Sequence, residues 1–200
     1  MRNKLSLNVR LTAILGTLML TFVGVISISL WTFKAQEKTA SAINVAGRQR
    51  MLTQKYTKEI LLTELKGKMI NNDPSTNDPV GKQYISDKTA ELFETTQKAL
   101  THGGSTFADL DMTIPINIEA PSNNDIKSQL KIASNNWNQL ISAVSKLKSV
   151  KIDTPEYHKH LDQVRKASIG TLREMHTAVT KYEASANRQA DIAANIQYLA

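Results

Sequence analysis

Cysteine is absent from all 200 residues, which excludes a disulfide framework, a Cys-ligated zinc site and a thiol nucleophile. Its absence also suits a compartment where stray thiols would oxidise. No Ser/His/Asp order, Gly-rich phosphate loop or carboxylate pair beside an apolar pocket can be placed along the chain, so no catalysis and no cofactor are expected. His158 and His160 form a His-x-His pair, but on a helix they lie about 200° apart and make no metal site by themselves. The formal net charge is +7, yet no basic run is interleaved with aromatics, so nucleic acid is not an expected partner. Two readings of the charge stay open: a solvated face near anionic lipid headgroups, or a specific site for a small anion. The length allows one membrane segment and one domain of roughly 150 residues.

Charge of either sign is missing from Leu11 to Phe33 (LTAILGTLMLTFVGVISISLWTF). A run of about 23 residues at about 1.5 Å per residue reaches roughly 34 Å, enough to cross a bilayer. Arg2, Lys4 and Arg10 precede it with no acid among them, outnumbering Lys34 on the far side. The positive-inside rule therefore keeps residues 1–10 in the cytoplasm, makes 11–33 the transmembrane helix and puts 34–200 in the periplasm, with Trp31 at the outer interface. The alternative is a cleaved export signal with Ala40, Ser41 and Ala42 as its small-residue site, although Lys34, Glu37 and Lys38 intervene. Both place the remainder outside the inner membrane.

Proline is missing between Lys34 and Ile70, so the membrane helix is expected to continue outward as a long first helix. Asn71 to Gly81 (NNDPSTNDPVG) is composed as a loop. A second helix carries Ile85, Thr89, Leu92, Thr96 and Ala99 on one stripe and stops at Gly103 and Gly104. Ser105 to Asn124, with Pro115 and Pro121, reads as a long irregular connection with one extended piece at Met112 to Ile118. From Asp125 the clearest core stripe runs through Ile126, Leu130, Ala133, Trp137, Leu140, Val144 and Leu147 and ends before Pro155. The last helix, from about Glu156, holds Leu161, Val164, Ser168, Leu172, Met175, Val179, Tyr182, Ala186, Gln189, Ala193 and Ile196 on one seam. With no strand signal of weight, the expected fold is all-α, an up-down-up-down four-helix bundle. An even number of crossings would return the chain to the bilayer, where a second span and an output domain are expected beyond Ala200.

The most unusual stretch is Ile43 to Lys55, INVAGRQRMLTQK. A mid-helix glycine costs about 1 kcal/mol relative to alanine, so Gly47 either admits a close neighbouring helix or serves a site. Steps of three and four put Gly47, Arg50 and Gln54 on one stripe, whereas Arg48, two residues from Arg50, projects elsewhere. Two copies of this stripe facing each other would bring two Arg50 guanidinium groups together, which is unfavourable unless an anion lies between them. The other reading of Arg50 is a surface arginine in an ordinary ion pair.

INVAGRQRMLTQK resembles the signature of the PilJ/NarX-type sensor domain of type IV pilus chemotaxis transducers, other methyl-accepting receptors and nitrate/nitrite sensor kinases. FETTQKALTHGG (Phe93 to Gly104) and LREMHTAVTKYE (Leu172 to Glu183) agree with it. The resemblance implies a four-helix bundle paired as a homodimer, with one anion, nitrate or nitrite in the responsive members, held by an arginine from each first helix. Arg50 matches that arginine and Gly47 the motif's glycine, and with Met51 and Gln54 they make the candidate ligand-binding set. Arg48-Gln49 followed by Met51-Leu52-Thr53-Gln54 resembles the chemoreceptor branch more than the kinase branch. Three functions are therefore in view: the anion-sensing input domain of a chemotaxis-type receptor, the input of a histidine kinase or cyclic-dinucleotide enzyme, and a membrane-anchored structural bundle without ligand.

Overall fold

The structure, a computed structural model, describes residues 7–70 and 81–199. Its elements are α1 (Leu7–Ile70), α2 (Gly81–His102), β1 (Gly104–Phe107), β2 (Pro115–Ile118), α3 (Asn124–Lys148) and α4 (Pro155–Leu199). The expected loop at Asn71 lies outside the described residues apart from Gly81, which opens α2. The chain divides into two compact units, one of Met1–Thr39 with Ala186–Ala200 and one of Ala40–Ser185.

In the first unit α1 is long and apolar enough to cross a membrane, and no part of its most apolar window is buried. Leu18, Phe22 and Trp31 all stand exposed, as lipid-facing side chains would. The hydroxyls in this run bond back to the helix itself: Thr12 donates to the Asn8 carbonyl, Thr17 to Ala13, Ser27 to Val23 and Thr32 to Ile28. These hydroxyls are thereby satisfied within the helix, the condition for placing them in hydrocarbon. Ala186 and Ala193 of α4 are half-buried and Gln189 is exposed.

The second unit contains the bundle, and side-chain bonds give its direction. Gln49 meets Phe93 and Lys55 meets Thr89, so α1 and α2 run antiparallel. Gln97 meets Leu130 while Glu94 meets Trp137, reversing α3 against α2. Gln129 meets Glu174 and Lys181 meets Asp125, reversing α4 against α3. The order is up-down-up-down, as the periodicity predicts.

Every member of the α3 stripe from Ile126 to Leu147 is buried. Asn123 caps this helix by accepting the Asp125 amide, Asp125 occupies the first turn, and Lys146 and Lys148 lie in the last, each where the helix dipole favours it. Trp137 stacks on Phe93 with ring centroids 3.7 Å apart and tilts against Tyr56 at 5.1 Å, joining α3, α2 and α1. The seam of α4 holds less uniformly, with Val164, Ser168, Met175, Val179 and Tyr182 buried but Leu161 and Leu172 only half-buried.

The α2–α3 connection is more regular than expected: β2 falls inside the extended piece expected at Met112 to Ile118, whereas β1 was not expected. β1 and β2 form an antiparallel hairpin with Gly104 opposite Ile118 and Phe107 opposite Pro115. Gly103, at φ +79°, ends α2 in the left-handed region, and a Cβ there would lie 3.1 Å from the Ala120 amide. Between the strands, the Asp109 carboxylate accepts the Thr113 hydroxyl and the Thr113 and Ile114 amides, closing the loop.

Candidate functional site

Along α1 the buried positions are Ala42, Val45, Ala46, Gln49, Leu52, Thr53, Tyr56 and Ile60, a continuous inward stripe. The opposite side carries Gly47, half-exposed, and Arg50, Met51 and Gln54, all exposed. Arg50 and Gln54 make no hydrogen bond or ion pair among the described residues. Met51 is 40% exposed, and Leu62 and Leu65 continue the same side at 46% and 54%. A Cβ at Gly47 would meet no heavy atom within 4 Å. Close approach by another helix of the same chain is therefore not what the glycine serves.

Arg48 has the opposite fate. Its Nη2 donates to the Phe107 carbonyl and, at 3.5 Å, to the Thr96 hydroxyl, fastening α1 to α2 and to the hairpin. Burial lowers the Arg48 pKa, with the charge of Asp109 opposing that shift. Its Nε is buried without a partner among the described residues. The spacing argument that sends Arg48 and Arg50 in different directions holds, but the hairpin anchor could not be read from it.

At the level of these arginines the core itself turns polar. One apolar cluster joins Ala46, Leu100, Leu130, Met175 and Tyr182, and the other joins Leu52, Phe93, Trp137, Leu140 and Val164. Between them along the helices lie buried Gln49, Thr96, Gln97, Ser168 and Thr171. Gln49 Nε2 donates to the Phe93 carbonyl at 2.8 Å and to Gln97 Oε1 at 3.3 Å, and Gln97 Nε2 donates to the Leu130 carbonyl at 2.8 Å. Thr96 shares a hydroxyl contact with Thr106 of β1, and Thr57 one with Ser168, both at 2.8 Å. Gln49 was not singled out from the sequence, although steps of three and four from Ala42, Val45 and Ala46 pass through it.

Among the described residues no group of three or more His, Cys, Asp or Glu could hold a metal ion. A helical bundle entered directly from an apolar helix of membrane length is the build of a membrane receptor's input domain. The comparison with family models turns this class into a family. The chain belongs to the PilJ family, described as the type IV pili methyl-accepting chemotaxis transducer N-terminal domain, whose model matches residues 31–164, more than half of the sequence. Neither the curated proteins nor the solved structures contain a significant match. Family membership makes the chain part of a membrane-associated signalling receptor, at the input side of a chemotaxis transducer.

Proposed function

We propose that this domain senses a small oxyanion, with nitrate and nitrite the first candidates, held between the Arg50 side chains of two copies of the chain. The observation that carries the reading is the contrast along one turn of α1: Arg48 is engaged by the fold, whereas Arg50 is exposed with no partner among the described residues. Exposed Met51, Leu62 and Leu65 on the same side supply apolar surface for a homodimer seam, and the open space over Gly47 lets a partner helix come close. An anion between two guanidinium groups removes their repulsion, so ligand and dimer would stabilise each other.

In this reading residues 11–33 span the inner membrane, residues 1–10 stay in the cytoplasm, and the domain from residue 34 onward is periplasmic. Anion binding draws the two first helices together and displaces α1 against α4 by about 1–2 Å, the scale of known receptor helix shifts.

The test is calorimetry on the full chain in lipid nanodiscs with nitrate, nitrite and sulfate. Heat with nitrate or nitrite that vanishes in Arg50→Ala is the expected result, and no heat from any of the three would sink the anion claim. Because the chain has no cysteine, Met51→Cys supplies a single thiol. It should cross-link copies through a disulfide, whereas Glu91→Cys on the exposed side of α2 should not.

A further inference from the structure

A cleft of about 800 Å³ opens between the C-terminal half of α2 and the N-terminal half of α3, within one subunit. Lys98 and His102 line it from α2, and Lys127 and Lys131 from α3. Each pair is spaced i, i+4, which puts its two members on the same side of their helix. None of the three lysines makes an ion pair or hydrogen bond among the described residues, in contrast to Lys55, Lys88 and Lys166, which pair with Glu59, Asp111 and Asp162. The one acid in the lining, Glu94, accepts the Trp137 indole N–H at 3.3 Å. Ser128, Ser134 and Asn138 add hydroxyl and amide donors, whereas the Thr101 hydroxyl already donates to the Gln97 carbonyl.

The chemistry of the walls narrows the occupant. Ala120 and Trp137 are the lining's apolar residues, and Trp137 is itself buried, so beyond Ala120 the walls offer no exposed apolar side chain for a ligand to cover. Three unneutralised ammonium groups facing a common space favour an anion, and more than one negative charge. The volume falls in the range of sites for small organic molecules, well beyond the needs of a planar inorganic monoanion. We propose that the α2–α3 cleft is a second ligand site, one per subunit, for a small organic anion carrying two or more carboxylate or phosphate groups.

The cleft is wired to the first helix. Gln97 lines it, and the same side chain accepts from Gln49 of α1, which lies between Arg48 and Arg50 in sequence. An anionic occupant can accept only from Gln97 Nε2, which otherwise joins α2 to α3 through the Leu130 carbonyl, and drawing that amide into the cleft moves the Oε1 that holds Gln49. It therefore reports to α1 without touching the outward stripe.

The experiment uses the full chain in phosphatidylcholine nanodiscs, with Trp31→Phe as background so that Trp137 is the only indole. Citrate, succinate and inorganic phosphate are titrated separately, by calorimetry and by Trp137 fluorescence. Saturable heat with a fluorescence change is expected for at least one probe, and which probe gives it separates a carboxylate ligand from a phosphoryl ligand. Lys98→Gln combined with Lys131→Gln should weaken binding about a hundredfold, since each lost charge-assisted bond is worth about tenfold. The Lys98→Arg, Lys131→Arg pair should retain binding, and Arg50→Ala should leave it unchanged. Silence from all three probes, full affinity in the glutamine pair, or loss in Arg50→Ala would each overturn the proposal. A failure here leaves nitrate binding at Arg50 untouched, and the reverse also holds.

Discussion

Gln49 of α1 donates its side-chain amide to Gln97 of α2 across a distance of 3.3 Å, and both side chains are buried. The pair sits where the core is interrupted by polar groups, so its two members depend on each other. Gln49→Leu leaves Gln97 Oε1 without its donor and should destabilise by about 1–3 kcal/mol, even though leucine is the more apolar residue. Adding Gln97→Leu should cost less than the separate effects predict, because the orphaned acceptor disappears with it. Urea denaturation of both single variants and the double variant measures the coupling; strict additivity would show that the two amides do not act together.

The two arginines of the motif should separate by what they affect. Arg48→Ala removes the donor to the Phe107 carbonyl and should lower stability by about 1–3 kcal/mol. Arg50→Ala should stay within about 0.5 kcal/mol of the parent, as an exposed residue without partners does. Thermal unfolding without added anion makes the comparison, and equal losses would contradict the engagement of Arg48 alone.

Gly47→Ala offers a test with opposite signs in two assays. Nothing within 4 Å opposes a methyl group there, so a single copy should gain about 1 kcal/mol from helix propensity. Self-association should weaken if a partner helix uses that space. Analytical ultracentrifugation beside a melting curve reads both, and a gain in stability with unchanged association would remove Gly47 from the seam.

Asp109 makes the hairpin sensitive to acid. Its carboxyl is lowered from 3.8 to about 2, above all by the hydrogen bond from the Ile114 amide, with the Thr113 hydroxyl and amide adding to it. A group whose folded pKa lies below its unfolded one contributes fully above the unfolded value and loses that contribution as the pH falls through the folded one. Asp109→Asn should therefore be less stable than the parent at pH 6, and the difference should close between pH 3.8 and about 2. Melting curves across that range check it, and a difference independent of pH would assign the effect to geometry instead of charge.

The parts of this fold that were readable from sequence are those where a single period decides burial. The α3 stripe is one such part, since its seven members, from Ile126 to Leu147 at helical spacing, all face the core. The stop of α2 at Gly103 is another, because a residue at φ +79° is the expected end of a helix. The hairpin was readable only in part: the extended piece expected at Met112 to Ile118 contains β2, but β1 is four residues long and begins at Gly104, a residue that does not favour a strand. Arg48 shows the same limit at the candidate site. Helical geometry separates it from Arg50, but its partner Phe107 belongs to that hairpin and is brought to it only by tertiary packing.

The polar fastening of α1 to the hairpin also sets an order of assembly during synthesis. Phe107 follows Arg48 by 59 residues, and Tyr182 follows its acceptor Leu100 by 82. At roughly 5–20 residues per second, α1 emerges seconds before anything exists to cover Ala46 or engage Arg48. The inner side of the first helix must therefore wait, uncovered, while the rest of the bundle is still being made. A membrane span made first would hold that unfinished surface at one place on the bilayer, away from other nascent chains, until α4 arrives to close it.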